Sequence, residues 1–331
     1  MTKIAVLGAG AWGTALALQA CRAGQAVTLV ARDAAKAGQM RRDRLNPRLP
    51  GALLPESLRI ADVAPVDAEL VFVAVPTQHI RANMGRIGGT VPLVACAKGV
   101  EIGSHKLPLE ILADAAPDHP LAVLTGPNFA HEVAAGLPAA SVVASTDAAL
   151  REAVRLAVGT PTFRLYGNDD PIGAQLGGAA KNVIAIAAGA VTGAGLGENA
   201  RAALITRGLS ELSRLTLALG GKAETVMGLS GLGDLLLTCT GAASRNFSLG
   251  VKLGEGHDLS TILAARTGVT EGVTTAAALV ARAEAVDAGM VPANAGKIDM
   301  PICEAVAALL AGTLTLPDAM RQLLSRPQRD E

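Results

Sequence analysis

The sequence predicts an α/β Rossmann-type doubly wound sheet over residues 1–167, followed by an all-α C-terminal domain over residues 168–331. Three observations carry this. Short apolar runs alternate with helical patterns through the first half, as in βαβ units. A G-x-G-x-x-G turn lies between the first apolar run and the first helix. Beyond Gly167-Asn-Asp-Asp-Pro171, a stretch of turn composition, helical periodicity continues almost without strand signal. A chain of 331 residues accommodates two domains, each able to bury a core.

Lys3-Ile-Ala-Val-Leu7 is a continuous apolar run, the mark of a strand buried on both faces. It meets Gly8-Ala-Gly10-Ala-Trp-Gly13 and then a helical pattern from Thr14 to Arg22. At this spacing Gly8 permits the tight turn, Gly10 lets the backbone approach a pyrophosphate, and Gly13 lets helix pack on strand. Alone the spacing could be a plain glycine turn. Between a strand and a helix, with a second strand at Ala26–Ala31, it points to a dinucleotide site. At the end of that strand an acidic residue would bind the ribose hydroxyls of NAD, whereas an arginine accommodates the 2′-phosphate of NADP. Here Arg32 precedes Asp33. Asp33 suits the N-cap of a helix over residues 34–42, which leaves Arg32 for the adenosine end and favours NADPH over NADH.

Residues 41–55, with mixed charge and three prolines, read as a loop. Strands follow at Leu70–Val75, Val91–Ala97, Leu121–Leu124, Ala140–Ala144 and Thr162–Tyr166. Two of them end in functional candidates, since ligands of such sheets bind beyond the carboxyl ends of the strands. One end carries Lys98-Gly99, and the other runs Thr125-Gly126-Pro127-Asn128-Phe129-Ala130. Lys98 could otherwise be an exposed loop lysine. The five histidines share no pattern and read as structural or solvated.

The second half centres on residues 173–212, a long run of small apolar residues. Lys181 is the single charged residue between Asp170 and Glu198. Burial there would lower the lysine pKa toward the range where it passes a proton at neutral pH. The bland alternative is a helix-surface lysine whose stem lies on apolar neighbours. Gly177, Gly178, Ala179 and Ala180 remove bulk around the ammonium, and Asn182 adds a polar neighbour. Three polar islands interrupt the later helices. They are Gly197–Arg201 with Arg207, Gly231-Leu-Gly-Asp234 leading through Thr238 to Ser244-Arg245-Asn246, and Thr270-Glu271-Gly272 after Val269. Asp234 could merely cap a helix and Arg245 could be surface charge. Grouped with serine and asparagine, however, Arg245 offers the fork and neutral donors of an anion pocket.

Composition narrows the function. Lys plus Arg and Asp plus Glu number 29 each, so no basic surface for nucleic acid or membrane is indicated. Half the residues are hydrophobic but only 2% are aromatic, so the core must be packed from Ala, Val and Leu. Cys21, Cys96, Cys239 and Cys303 show neither metal nor disulfide spacing, and no metal is expected. The chain enters a strand pattern at once, without the look of a leader. Its longest uncharged run, Asn182–Gly197, is too short and glycine-rich to span a bilayer. A cytoplasmic location is therefore expected, and the Ala-rich second half is compatible with a homodimer.

These motifs together resemble the bacterial-type NAD(P)-dependent glycerol-3-phosphate dehydrogenases along nearly the whole chain. The matching pieces are GAGAWGTALA from Gly8, AKG around Lys98, GPNFAHE from Gly126, AAKN ending at Asn182, GLGDLLLTCT from Gly231, SRN at Ser244–Asn246, and EGV at Glu271. Their order and spacing are specific where no single one is. The resemblance implies reversible reduction of dihydroxyacetone phosphate, a phosphorylated triose, to sn-glycerol 3-phosphate, which feeds phospholipid synthesis. It implies Lys181 as the acid/base, with Lys98, Asp234 and Asn182 in the catalytic group. Substrate contacts would come from Lys98, Gly126, Asn128, Asp234, Thr238, Ser244, Arg245 and Asn246. Cofactor contacts would come from Gly8, Gly10, Ala11, Trp12, Gly13, Arg32, Lys98, Ala130, Arg245, Val269 and Glu271. Ala11 stands where many relatives carry serine, so a hydroxyl to the pyrophosphate is lost. Asn128 replaces a common threonine or serine.

Two other readings stay open on the residues alone. One is another Rossmann-plus-helical dehydrogenase of the phosphogluconate or β-hydroxyacid type, against which Ser244-Arg245-Asn246 speaks. The other is a noncatalytic NADPH-binding sensor, against which the two lysines speak. The sequence also leads one to expect that Lys181→Met would leave stability nearly unchanged or raise it, since a buried charge is costly.

Overall fold

The computed structural model describes residues 1–266, 270–289 and 298–325. The chain divides into two compact units, one of Met1–Glu101 with Lys106–Gln175, the other of Ile102–His105 with Leu176–Glu331. The change of character expected near Gly167 precedes this division, which falls between Gln175 and Leu176. The first turn of the long central helix goes with the first unit, where Gln175 Oε1 accepts from the Leu109 N–H at 2.8 Å.

The first unit carries an eight-stranded sheet in the order β3-β2-β1-β4-β5-β6-β7-β8. Its strands are β1 Lys3–Leu7, β2 Ala26–Val30, β3 Arg59–Ala61, β4 Leu70–Val73, β5 Leu93–Ala95, β6 Leu121–Thr125, β7 Ala139–Ala144 and β8 Phe163–Asn168. All neighbours are parallel except β6 and β7, which run antiparallel. The continuous apolar runs of β1 and β4 are buried almost throughout, as expected for strands covered on both faces. Its helices are α1 Ala11–Arg22, α2 Ala34–Asp43, α3 Ile80–Asn83, α4 Pro108–Ala115, α5 Ala130–Ala135 and α6 Ala148–Val158. Chain order reverses between β1 and β4, which makes their carboxyl ends the switch point where such sheets bind ligands.

Two features depart from the sequence reading. The strand β3 was not expected, because three residues beside a proline-rich loop carry too little pattern. It pairs only with β2, at the sheet edge. The helix α1 starts at Ala11, inside the glycine motif, because its first turn needs no apolar periodicity to form.

Among the described residues the second unit contains no strand. It continues α7 Pro171–Gly193 and adds α8 Glu198–Ala218, α9 Ala223–Met227, α10 Asp234–Thr240, α11 Arg245–Gly254, α12 Leu259–Ala264, α13 Glu271–Asp287, α14 Pro301–Leu310 and α15 Leu316–Leu324. Glycines explain how α7 packs. A Cβ on Gly189 or Gly193 would come within 2.1 or 2.0 Å of α11 carbonyl oxygens, and one on Gly250 or Gly254 would meet α7 carbonyls at 2.0 or 2.3 Å. The two helices touch backbone to backbone, so small residues here serve helix packing first.

By length and composition α7 could cross a membrane, which corrects the view that no stretch is long enough. The helix reaches upstream to Pro171 through Lys181, and most of its apolar window is buried inside the protein. It is a core helix.

Candidate active site

In the first unit the glycine motif is a main-chain structure. Gly8 has φ +113°, and a Cβ there would stand 2.8 Å from the Ala74 carbonyl oxygen. A Cβ on Gly13 would lie 2.0 Å from the Gly8 oxygen, so strand, turn and helix meet without room for a methyl group. Gly10 is different: a Cβ there would meet nothing within 4 Å. That open face lies at the N-terminus of α1, where the first-turn amides lack intrahelical partners and the helix dipole favours an anion. The indole N–H of Trp12 is buried and finds no nitrogen or oxygen acceptor among the described residues. The buried Cys96 thiol lies near it, and burial pushes that thiol's pKa up to about 12. The motif therefore fits a dinucleotide pyrophosphate, with backbone amides standing in for the hydroxyl that Ala11 lacks.

One brace of this turn escaped the sequence reading. Asn46, buried within the segment read as a loop, donates to the Ala9 carbonyl at 3.1 Å and to Thr14 Oγ1 at 2.6 Å. Only the returning chain path brings it there. At the end of β2, Asp33 does cap α2, accepting from the Lys36 N–H at 2.9 Å. Arg32 has a side chain 79% exposed, loosely paired with Asp33 at 3.4 Å, and so can swing to a ligand.

Farther along the same sheet, Lys98 Nζ donates to the Gly126 carbonyl at 2.8 Å. Gly126 has φ +134°, and a Cβ there would press on the Ser141 Cα at 3.1 Å. Asn128 Nδ2 donates to Ser141 Oγ at 2.6 Å, while its buried Oδ1 finds no partner among the described residues. Asn128 is thus anchored on β7. Ala130 opens α5. A cavity of about 510 Å³ in this unit, lined by Leu18, Cys21, Leu49 and Leu53 among others, contains none of these side chains.

In the second unit α7 presents two adjacent polar residues to different neighbours. Lys181, 7% exposed, donates to Asp234 Oδ1 at 2.5 Å and to Thr238 Oγ1 at 2.9 Å. Asp234 is wholly buried as the first residue of α10. It is more than the helix cap it could have been. Thr238 Oγ1 also donates to the Asp234 carbonyl one turn back, at 2.6 Å. The turn before Asp234, Leu229–Gly233, is π-helical and packs against Gly177, whose Cβ would strike the Ser230 oxygen at 2.3 Å. The glycine that seemed to bare the ammonium instead lets in the turn that delivers its carboxylate. The solvated-lysine alternative is excluded by this burial.

Asn182 Oδ1 accepts from Asn246 Nδ2 at 2.8 Å, and Asn246 Oδ1 accepts from the Gly272 N–H at 3.0 Å. These bonds join α7, α11 and the start of α13. A Cβ on Gly272 would fall 2.7 Å from both the Asn182 carbonyl and Asn246 Oδ1, so no side chain fits there. Ser244 caps α11, accepting from the Phe247 N–H at 3.2 Å. Arg245 is exposed at the first position of that helix. Glu271 is the first residue of α13. Val269 lies outside the described residues.

Comparison with known proteins decides the family. Residues 3–151 match the family described as NAD-dependent glycerol-3-phosphate dehydrogenase N-terminus, and residues 170–321 match its C-terminus. The chain belongs to the NAD-dependent glycerol-3-phosphate dehydrogenase family. It is 55% identical over 330 residues to the glycerol-3-phosphate dehydrogenase [NAD(P)+] of Acidiphilium cryptum, covering 99% of this chain and 98% of that one. Against the enzyme of the same name from Gluconobacter oxydans the identity is 48%, with the same coverage. The crystal structure of glycerol-3-phosphate dehydrogenase from Coxiella burnetii superposes with a TM-score of 0.90 at 37% identity, covering 98% of this chain and 99% of that one.

A glycerol-3-phosphate dehydrogenase of this length is thus built from a main-chain cradle in one unit and a side-chain network in the other. Of the residues expected from sequence, Lys181, Asp234 and Thr238 form one cluster, Asn182 and Asn246 a second, and Lys98, Gly126 and Asn128 occupy neighbouring strand ends. Glu211 was not singled out. Buried on α8, it accepts from the amides of Ile302 at 2.7 Å and Cys303 at 3.1 Å, at the N-terminus of α14. Burial pushes its pKa up to about 7, against the pull of the two amides.

Proposed function

We propose that the chain reduces dihydroxyacetone phosphate to sn-glycerol 3-phosphate, reversibly, in the cytoplasm, with NADPH preferred over NADH. The product would supply phospholipid synthesis. Membership of the family supports the reaction. The observation that carries the mechanism is the buried Lys181, held by Asp234 and Thr238 on a helix with no other charged residue.

Reduction of a ketone forms a C–H bond and moves the carbonyl π pair onto oxygen, where it needs a positive partner and then a proton. The reduced nicotinamide, when bound, supplies the hydride. Lys181 Nζ–H answers both needs, stabilising the developing alkoxide and passing it a proton. Asp234 accepts a hydrogen bond from the ammonium and holds it aimed. Thr238 fixes the direction of a second N–H. In the reverse direction the same nitrogen takes the alcohol proton.

Arg245 supplies the guanidinium for the substrate phosphate, with the Ser244 hydroxyl and Asn246 amide as neutral donors at the N-terminus of α11. Binding energy from that phosphate positions a carbonyl it does not touch. Lys98, fixed by the Gly126 carbonyl, and Asn128 are assigned to substrate binding as well. Gly8, Gly10, Ala11, Trp12, Gly13, Ala130 and Glu271 serve the cofactor, as would Val269, and Arg32 its 2′-phosphate.

The test is purified protein, NADPH and a panel of ketones, followed by loss of NADPH absorbance. Turnover with dihydroxyacetone phosphate alone is expected. Turnover only with oxo acids would move the chain to a different substrate class, and no turnover at all would leave a dinucleotide-binding protein.

A further inference from the structure

Arg266 follows α12 and belongs to no motif. Its backbone N–H closes that helix on the Leu263 carbonyl at 3.2 Å. Its side chain reaches α11 instead of solvent. One guanidinium nitrogen donates to the Arg245 carbonyl at 2.6 Å and another to Ser248 Oγ at 3.0 Å. Ser248 Oγ in turn donates to the same Arg245 carbonyl at 3.2 Å. Three groups thus form a closed ring around the first turn of α11, the turn that carries Ser244, Arg245 and Asn246.

We propose that Arg266 is a positioning residue for the substrate phosphate, acting through Arg245. The inference rests on the assignment of Arg245 to that phosphate. Two observations carry it. The first is the geometry: both bonds of Arg266 end on the anchor turn, and one ends on the main chain of Arg245 itself. The second is charge. Arg266 adds its positive charge beside the first turn of α11, the turn that also carries the Arg245 cation. Burial, and then the charge of Arg245, hold Arg266 below the usual arginine pKa. No carboxylate bonds to either guanidinium among the described residues. Two like charges at one helix turn repel, and a dianionic phosphate bound there would relieve that repulsion. The flexible Arg245 side chain then starts from a fixed main chain, so less entropy is lost when the ligand binds.

The test compares dihydroxyacetone phosphate with unphosphorylated dihydroxyacetone at saturating NADPH, in wild type, Arg266→Met, Arg266→Lys and Arg245→Ala. Arg266→Met should raise KM for the phosphorylated substrate about tenfold, as for loss of a charge-assisted bond. Its effect on the unphosphorylated substrate should be far smaller. Arg266→Lys, which restores one donor and the charge, should recover part of that loss. In the Arg245→Ala background Arg266→Met should add little, because the two act as one unit. Equal losses on both substrates, an unchanged KM, or full additivity with Arg245→Ala would overturn the proposal. If Arg266→Met does not fold, Arg266→Lys and Ser248→Ala carry the same comparison, with smaller KM increases expected. Should Arg245→Ala itself fail to separate the two substrates, the phosphate assignment falls. If Arg245→Ala separates them and the Arg266 variants do not, only the role of Arg266 falls.

Discussion

The two units build their candidate sites by opposite means. Around Gly8–Gly13 the working groups are main-chain amides, exposed by the absence of side chains, and any atom added to Gly8 or Gly13 collides with backbone. Around Lys181 the working groups are side chains on α7, α10 and α11, each buried and each held by another. The first arrangement depends on what is missing at fixed spacing, the second on what is present at positions far apart in sequence. A main-chain cradle should therefore be intolerant of volume and indifferent to charge. A buried side-chain network should be the reverse.

The sharpest way to break this contrast is Lys181→Met. Loss of the acid that also stabilises the alkoxide should lower kcat by about 10²–10⁴-fold, measured in single turnover. The structure reverses the stability expectation drawn from sequence. Removing the ammonium strands the wholly buried Asp234, and breaking one side of such a pair costs about 3–5 kcal/mol. Thermal unfolding should show a clear loss, partly regained in the double variant Lys181→Met/Asp234→Asn. A stable single variant would mean that the pair is solvated after all.

A comparably direct test contrasts two glycines of one motif. Gly13→Ala should cost about 3 kcal/mol or more of stability, because its methyl group meets a backbone oxygen that cannot move aside. Gly10→Ala should leave the unfolding temperature nearly unchanged, since its methyl group has open space, yet weaken NAD(P)H binding by about tenfold or more. Fluorescence titration of the nucleotide beside thermal unfolding separates the two. Equal stability losses would show that the space over Gly10 belongs to the fold.

Glu211 lies between the two styles, a buried side chain answered by main-chain amides. The folded chain keeps its proton up to about pH 7, whereas the unfolded chain releases it near the ordinary 4.5. The folded state thus binds more protons in that window, and stability should fall as pH rises from about 4.5 to 7 and level off above it. The contribution is about 3 kcal/mol at most, and Glu211→Gln should remove that slope from denaturant titrations. A slope of the opposite sign would mean that the helix amides outweigh burial.

The smallest effect concerns Arg32. Its exposure limits it to about 1.5 kcal/mol, so Arg32→Ala should weaken NADPH about tenfold more than NADH. Equal loss for both cofactors would remove the NADPH preference.

Sequence alone determined the alternation of strands and helices in the first half, the dinucleotide turn, the helical character of the second half and the identity of Lys181, Asp234 and Arg245 as candidates. These are local signals. Apolar runs, glycine spacing and a lone charge in an apolar helix act within a few residues of chain. Tertiary structure decided what those residues do to one another. It placed Asp234 on Lys181 across 53 positions of sequence and Asn246 on Asn182 across 64. It brought Asn46 beneath the glycine turn, and gave the small residues of α7 a packing role against α11 and the Leu229–Gly233 turn. It also reversed β7 and added β3, for which no local pattern exists. The reason is physical: a hydrogen bond or a backbone contact depends on distance in space, and only the packed chain sets that distance.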